Sequence, residues 1–262
     1  MTVHDPAEAE RWFVPVDSNP DAEARLFLFP YAGGNAGMYR EWMDLFPASI
    51  SVQGVQLPGR LNRREEGRFT EMEPLMEVMV EAFVAELDDR PYAFFGHSMG
   101  GLVAYRLAVA LERELGTPPA LIGAAGWSPE GFYMPTEEQI ALPQDELVSW
   151  IVSLGSLPPA IYEDPEMLRI TIPPTRDDLL ICARYVEDGA KVDTAVVTYT
   201  GKDDPLMTRE SAATWADHCT TYLGNCEFPG GHFFIYDATL AIATDFTRHL
   251  LRCLEPDESR LA

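Results

Sequence analysis

The sequence is poor in positive charge, in cysteine and in histidine, and it contains no long apolar run. Each shortage removes a class of function. Of 262 residues, 19 are basic and 42 acidic, for a formal net charge of −23. Nearly all the basic residues are arginine, with lysine only at Lys191 and Lys202. Such a surface repels phosphate backbones, which argues against nucleic acid as a partner. It also repels acidic proteins, unless these meet a local basic patch. The four cysteines, Cys182, Cys219, Cys226 and Cys253, form no CxxC pair, and none stands beside a histidine at metal-ligand spacing. They read as reduced thiols, and no metal or cofactor is expected. No apolar stretch reaches the roughly 18 residues of a membrane span. The acidic, polar start from Met1 to Arg11 lacks the pattern of a secretory signal, so the expected location is cytoplasmic. A length of 262 residues suits one large α/β domain, or a core with an inserted subdomain.

What is present is a rhythm of short apolar runs and amphipathic stretches. Arg25 to Pro30, Ile50 to Leu57, Tyr92 to Phe95, Ala120 to Ala125, Val192 to Tyr199 and Tyr222 to Phe228 read as buried strands. Helices are expected at Tyr39 to Phe46, Glu73 to Leu87, Leu102 to Leu115, Arg209 to Cys219 and Tyr236 to Leu254. From Ser128 to about Gly189 the strands stop. Prolines recur there, between helical stretches at Gln144 to Leu154, Pro165 to Ile170 and Arg176 to Val186. The fold class is therefore α/β, with a mostly parallel central sheet covered by helices on both faces. Residues 1–128 and 190–262 form the core, and 129–189 a helical insertion that is a lid candidate. Its apolar residues, among them Leu147, Trp150, Ile151, Leu154, Leu157 and Ile161, are expected mostly to pack against the core.

The sharpest local signal is Gly96-His97-Ser98-Met99-Gly100-Gly101, a GxSxG string between an expected strand and an expected helix. A serine in such a tight turn has strained backbone angles and needs small neighbours. Its hydroxyl is exposed, and the backbone N–H of Met99 at the helix start can meet an oxyanion. A serine nucleophile needs a base, and the base an orienting acid. Of the five histidines, His4 lies near the chain start, His97 in the turn itself, and His218 and His249 in helices. His232 lies in the glycine-rich loop Pro229 to Phe234 after the last strand, where a base can swing over the serine. The acid belongs after the preceding strand, where Asp203 and Asp204 stand side by side; Asp204, beside Pro205, is the first choice and Asp203 the fallback. A second oxyanion donor is expected from Pro30-Tyr31-Ala32-Gly33-Gly34, at the N–H of Ala32.

Together these pieces resemble the type II, or editing, thioesterases of polyketide and nonribosomal-peptide biosynthesis, members of the α/β-hydrolase superfamily. The resemblance runs from about Leu26 to Leu254. It includes Phe29 to Gly34, Gln56 to Arg60 with Arg63-Arg64, Phe95 to Gly101, Leu157-Pro158-Pro159, Asp164-Pro165-Glu166, Arg176 to Leu179, Gly201 to Pro205 and Gly230 to Phe234. It departs from the family at Trp127-Ser128-Pro129, where relatives carry a small residue before Ala-Pro, a change expected to reshape the acyl pocket. The resemblance implies a Ser98, Asp204, His232 triad with Ala32 and Met99 as oxyanion donors. It also implies a monomer that hydrolyses stalled acyl groups from the phosphopantetheine arm of a carrier protein. A general esterase, a chain-release or acyl-transfer enzyme and a silent scaffold are the competing readings. The arginine-rich segment from Arg60 to Arg68 has two readings of its own: Arg60, Arg63 and Arg64 touch the pantetheine phosphate or the carrier, or the segment is a charged loop with internal salt bridges.

Overall fold

The computed structural model describes residues 10–15, 19–155 and 159–255. His4 and the Leu157-Pro158 motif lie outside the described residues. Seven strands form one sheet: β1 (Phe13–Val14), β2 (Ala24–Phe29), β3 (Ile50–Val55), β4 (Tyr92–His97), β5 (Leu121–Ala125), β6 (Val192–Gly201) and β7 (Cys219–Phe228). Their spatial order is β1-β3-β2-β4-β5-β6-β7. All pairings are parallel except that of β1 with β3. The short β1 was not expected from the sequence, because two residues carry no periodicity.

The central strands read as continuous apolar runs because both faces of the sheet are covered. On β2, Phe27 and Phe29 join one buried cluster, while Leu26 and Leu28 join the other. Helices α1 (Met72–Glu86) and α2 (Met99–Leu115) close the first face. There Leu75, Met79, Phe83 and Leu102 pack with Phe27, Phe94 and Ile122. The second face is closed at its centre by α9 (Thr239–Leu254), whose Ile242, Phe246 and Leu250 meet Leu28, Phe95 and Tyr199. This is the expected α/β architecture, with helices on both sides of a mostly parallel sheet.

Among the described residues between β5 and β6 run four helices and no strand: α3 (Glu137–Ile140), α4 (Gln144–Ser153), α5 (Pro159–Tyr162) and α6 (Pro165–Arg184). Helix α6 corrects the sequence reading, which divides it in two at Pro173-Pro174. It continues through both prolines. Proline removes intrahelical hydrogen bonds, but Ile172, Pro174, Thr175, Asp178, Ile181 and Cys182 are buried along one side, and that packing outweighs local propensity. Two further helices differ in form. In place of a helix from Tyr39 to Phe46 there is a 3-10 turn at Ala36–Tyr39, ending where the expected helix begins, and another at Met43–Leu45, and Arg209 to Cys219 divides into α7 (Arg209–Ala213) and α8 (Trp215–His218). No helix among the described residues is long and apolar enough to cross a membrane.

The load on α9 is testable. Phe246 is fully buried, whereas Leu240 on the same helix is 65% exposed. Phe246→Ala is expected to cost about 3–5 kcal/mol, and Leu240→Ala less than about 0.5 kcal/mol, in urea unfolding.

Candidate active site

The turn between β4 and α2 holds Ser98 at φ 55° and ψ −123°, a region that side chains resist. The chain can close there because its neighbours are glycine. A Cβ on Gly96 would collide with the backbone of Gly100, and one on Gly100 with the carbonyl of Phe29. The Ser98 amide donates to the Ala125 carbonyl at 2.7 Å, which ties the turn to β5. Met99 is the first residue of α2, so its amide has no intrahelical acceptor.

The loop after β7 brings His232 over this serine. His232 Nε2 lies 2.8 Å from Ser98 Oγ, and Nδ1 lies 2.9 Å from Asp204 Oδ2. A carboxylate only accepts, so Nδ1 carries the hydrogen and Nε2 is left to accept from the serine hydroxyl. Asp204 Oδ1 accepts the Leu206 amide at 2.8 Å, which fixes the carboxylate. Asp204 is buried, whereas neighbouring Asp203 is exposed to solvent, which decides between the two aspartates as partner of His232. The His232 amide donates to the Leu154 carbonyl at 2.7 Å, so the loop also leans on the end of α4. A Cβ on Gly231 would strike that same carbonyl.

His97 lies behind His232, with ring centroids 5.0 Å apart. It is fully buried, and its Nε2–H donates to the His232 carbonyl at 2.8 Å. Burial, with the neighbouring His232, holds its pKa well below 6.5. The histidine of the turn itself thus props the loop from beneath.

The loop after β2 supplies the opposite wall. The Gly33 amide is taken by Asp178 and the Gly34 amide by the Tyr31 carbonyl, while the Ala32 amide has no partner among the described residues. Ala32, Ser98 and His232 all line a cavity of about 470 Å³. This is within the usual range for small-molecule sites. Four of the insertion residues expected mainly to pack against the core line it instead: Trp150, Ile151, Leu154 and Ile161. Leu147 is fully buried, as expected of a packing residue, and Leu157 lies outside the described residues. Sequence alone could not separate these roles, because lining a cavity and filling a core require the same side chains. Trp127 is also corrected. It packs at 5.8 Å from Tyr105 and 5.6 Å from Trp215 in the core, away from the cavity lining.

The arginine segment divides. Arg60 is buried in a two-pronged pair with Asp178. Arg63 is buried against Glu66, and its guanidinium lies 3.8 Å from the centroid of Trp12. Neither head faces outward, so the internal salt-bridge reading applies to both and contact with a partner does not. Arg64 is exposed, beside Glu65. The site also draws on residues that the motifs did not assign to it. Asp178 anchors the β2 loop, and Tyr31 and Tyr236 join hydroxyls at 2.6 Å in the cavity wall, where burial raises the pKa of both. Among the described residues, no group of three or more His, Cys, Asp or Glu could hold a metal.

A sheet of this order, with a strained serine turn after β4 and a histidine brought to it from the loop after β7, defines an α/β-hydrolase. The family model for the thioesterase domain matches residues 24–250. The gramicidin S biosynthesis protein GrsT of Aneurinibacillus migulanus is 30% identical over 95% of this chain and 98% of its own. Among solved structures, RedJ, a thioesterase of prodiginine biosynthesis in Streptomyces coelicolor, superposes with TM-score 0.80 at 29% identity, over 88% of this chain and 87% of its own. BorB, the type II thioesterase of the borrelidin cluster, gives 0.79 at 28% identity, over 88% and 94%. The chain belongs to the thioesterase family and is a hydrolase acting on thioesters.

The buried His97 makes stability depend on pH. Unfolded, it takes up a proton near 6.5; folded, only at a much lower pH. Protons therefore favour the unfolded chain below about pH 6.5, and its contribution to stability is lost as pH falls, by up to about 1.4 kcal/mol per pH unit. Urea midpoints at pH 7.5 and 5.5 are expected to differ less in His97→Asn than in the wild type.

Proposed function

We propose that this thioesterase is of type II and serves polyketide or nonribosomal-peptide synthases. It would hydrolyse aberrant or stalled acyl groups from the phosphopantetheine arm of carrier proteins through an acyl-Ser98 intermediate. The observation that carries this reading is the hydrogen-bonded series Asp204–His232–Ser98 opening onto an apolar cavity, in a chain of this family. The names of GrsT and BorB supply the biosynthetic setting.

The chemistry follows from the atoms. Ser98 Oγ attacks the thioester carbonyl as its proton passes to His232 Nε2. Asp204 holds the imidazole in the required tautomer and stabilises the imidazolium. The negative charge gathers on the carbonyl oxygen, against the N–H groups of Ala32 and Met99. The C–S bond then breaks, and the pantetheine sulfur leaves with the proton from His232. Water, deprotonated by His232, cleaves the acyl-enzyme and restores the serine. A thiolate leaves more readily than an amine, so modest activation suffices. Residues 129–189 act as the lid, and their helices form much of the acyl pocket. With Arg60 and Arg63 turned inward, Arg64 is the member of the trio left to meet an acidic carrier. The four free thiols suit a cytoplasmic enzyme.

The decisive measurement is release of acetyl and longer acyl groups from a phosphopantetheinyl carrier, against matched acyl-N-acetylcysteamine thioesters and p-nitrophenyl esters. A carrier preference that vanishes in Ser98→Ala is the expected result. Faster cleavage of simple esters than of carrier thioesters would reassign the chain to general acyl hydrolysis. Asp204→Asn is expected to lower kcat by about 10⁴-fold, as for an orienting acid of this kind. Asp203→Asn should leave kcat unchanged; a large loss there instead would exchange the two aspartates.

A further inference from the structure

Two motifs far apart in the chain meet beside the β2 loop, and the mechanism above uses neither. Arg60 follows β3, and Asp178 sits on α6. Arg60 Nη1 and Nη2 donate to Asp178 Oδ2 and Oδ1 at 2.7 and 2.8 Å. Arg60 is 7% exposed and Asp178 2%. A buried pair of this kind is costly to desolvate and adds little net stability over an apolar pair of equal size. Its other bonds suggest what it does. Asp178 Oδ2 also accepts the Gly33 amide at 2.7 Å, and Arg60 Nη1 also donates to the Gly34 carbonyl at 2.9 Å. The peptide planes on the C-terminal side of Ala32 are thus held by one ion pair. Gly33 itself lies against Thr175, and a Cβ there would overlap the threonine hydroxyl.

We propose that Asp178 and Arg60 are positioning residues for the oxyanion site, and that their ion pair fixes the direction of the Ala32 amide. This rests on the reading that the Ala32 amide receives the oxyanion. The pair also couples that amide to the acyl pocket. Thr175, Leu179 and Cys182 of α6 line the cavity within about one helical turn of Asp178, and Thr171 lines it about two turns away. A displacement of α6 would carry Asp178 with it and turn the Ala32 amide away from the serine. A misdirected donor loses transition-state stabilisation while ground-state binding is little changed.

The test uses p-nitrophenyl acetate, so that it does not depend on any carrier. Asp178→Ala is expected to lower kcat by about 10- to 100-fold with KM nearly unchanged, since outright loss of an oxyanion donor costs about 10²–10³. Affinity for an alkylboronic acid, whose adduct on the serine places an anionic oxygen at the same amides, should fall by the same factor. Asp178→Asn keeps an acceptor for the Gly33 amide and should recover most of the loss. Arg60→Met/Asp178→Leu removes both charges together, so it keeps the fold where the single alanine variant loses it, and it should still show the lowered kcat and boronate affinity. The proposal is overturned if the double variant melts like the wild type and has wild-type kcat. It is equally overturned if KM rises with kcat unchanged, or if kcat falls while boronate affinity does not. A wild type that cleaves the ester but not carrier thioesters would defeat the proposed function and leave this test standing.

Discussion

Ser98 occupies a backbone conformation that a serine left to itself would rarely adopt. The strain is of the order of 1–3 kcal/mol, and it persists because the surroundings permit no relaxation. Gly96 and Gly100 touch across the turn, Phe29 presses from β2, and the Ser98 amide is held by Ala125 on β5. Three adjacent parallel strands therefore fix one residue. Relaxing the serine would require separating β2, β4 and β5, whose side chains form the centre of both buried clusters. The core holds the turn, and the turn presents the hydroxyl.

The rest of the site is assembled around that fixed point by segments that end nearby for topological reasons. Parallel strands place all their C-terminal ends at one edge of the sheet. Ala32 follows β2, Asp204 follows β6 and His232 follows β7, so three separate loops converge on Ser98 without any of them being long. Each loop is then held by something other than its strand. Asp204 is held by the Leu206 amide, His232 by Leu154 and His97, and the Ala32 segment by Asp178. Two of these supports, Leu154 and Asp178, belong to the stretch between β5 and β6. That stretch both walls the cavity and braces the groups that face it.

Much of this is legible in the amino-acid sequence. The strand runs were plain because burial on both faces leaves little room for polar residues, and all six expected strands are present with shifts of a few residues at their ends. The GxSxG string was legible because only glycine tolerates the approach at positions 96 and 100. Helix continuity through Pro173-Pro174 was not, because local rules count the missing amides and cannot see the buried side that compensates. The direction of the arginines was equally hidden. A run of Arg and Glu looks the same whether it faces water or folds inward onto Trp12, Glu66 and Asp178.

Residue order was enough for the class of chemistry and for the residues that carry its pattern, because a strained turn, a late glycine-rich histidine loop and an aspartate after the preceding strand each need particular residue types in a particular order. Only the folded chain shows which insertion side chains line the cavity and that Arg60 belongs to Asp178. Those outcomes depend on distances between segments far apart in the chain, such as the 118 residues that separate Arg60 from Asp178. No local preference encodes such distances. They are set by how the helices between β5 and β6 come to rest on the sheet.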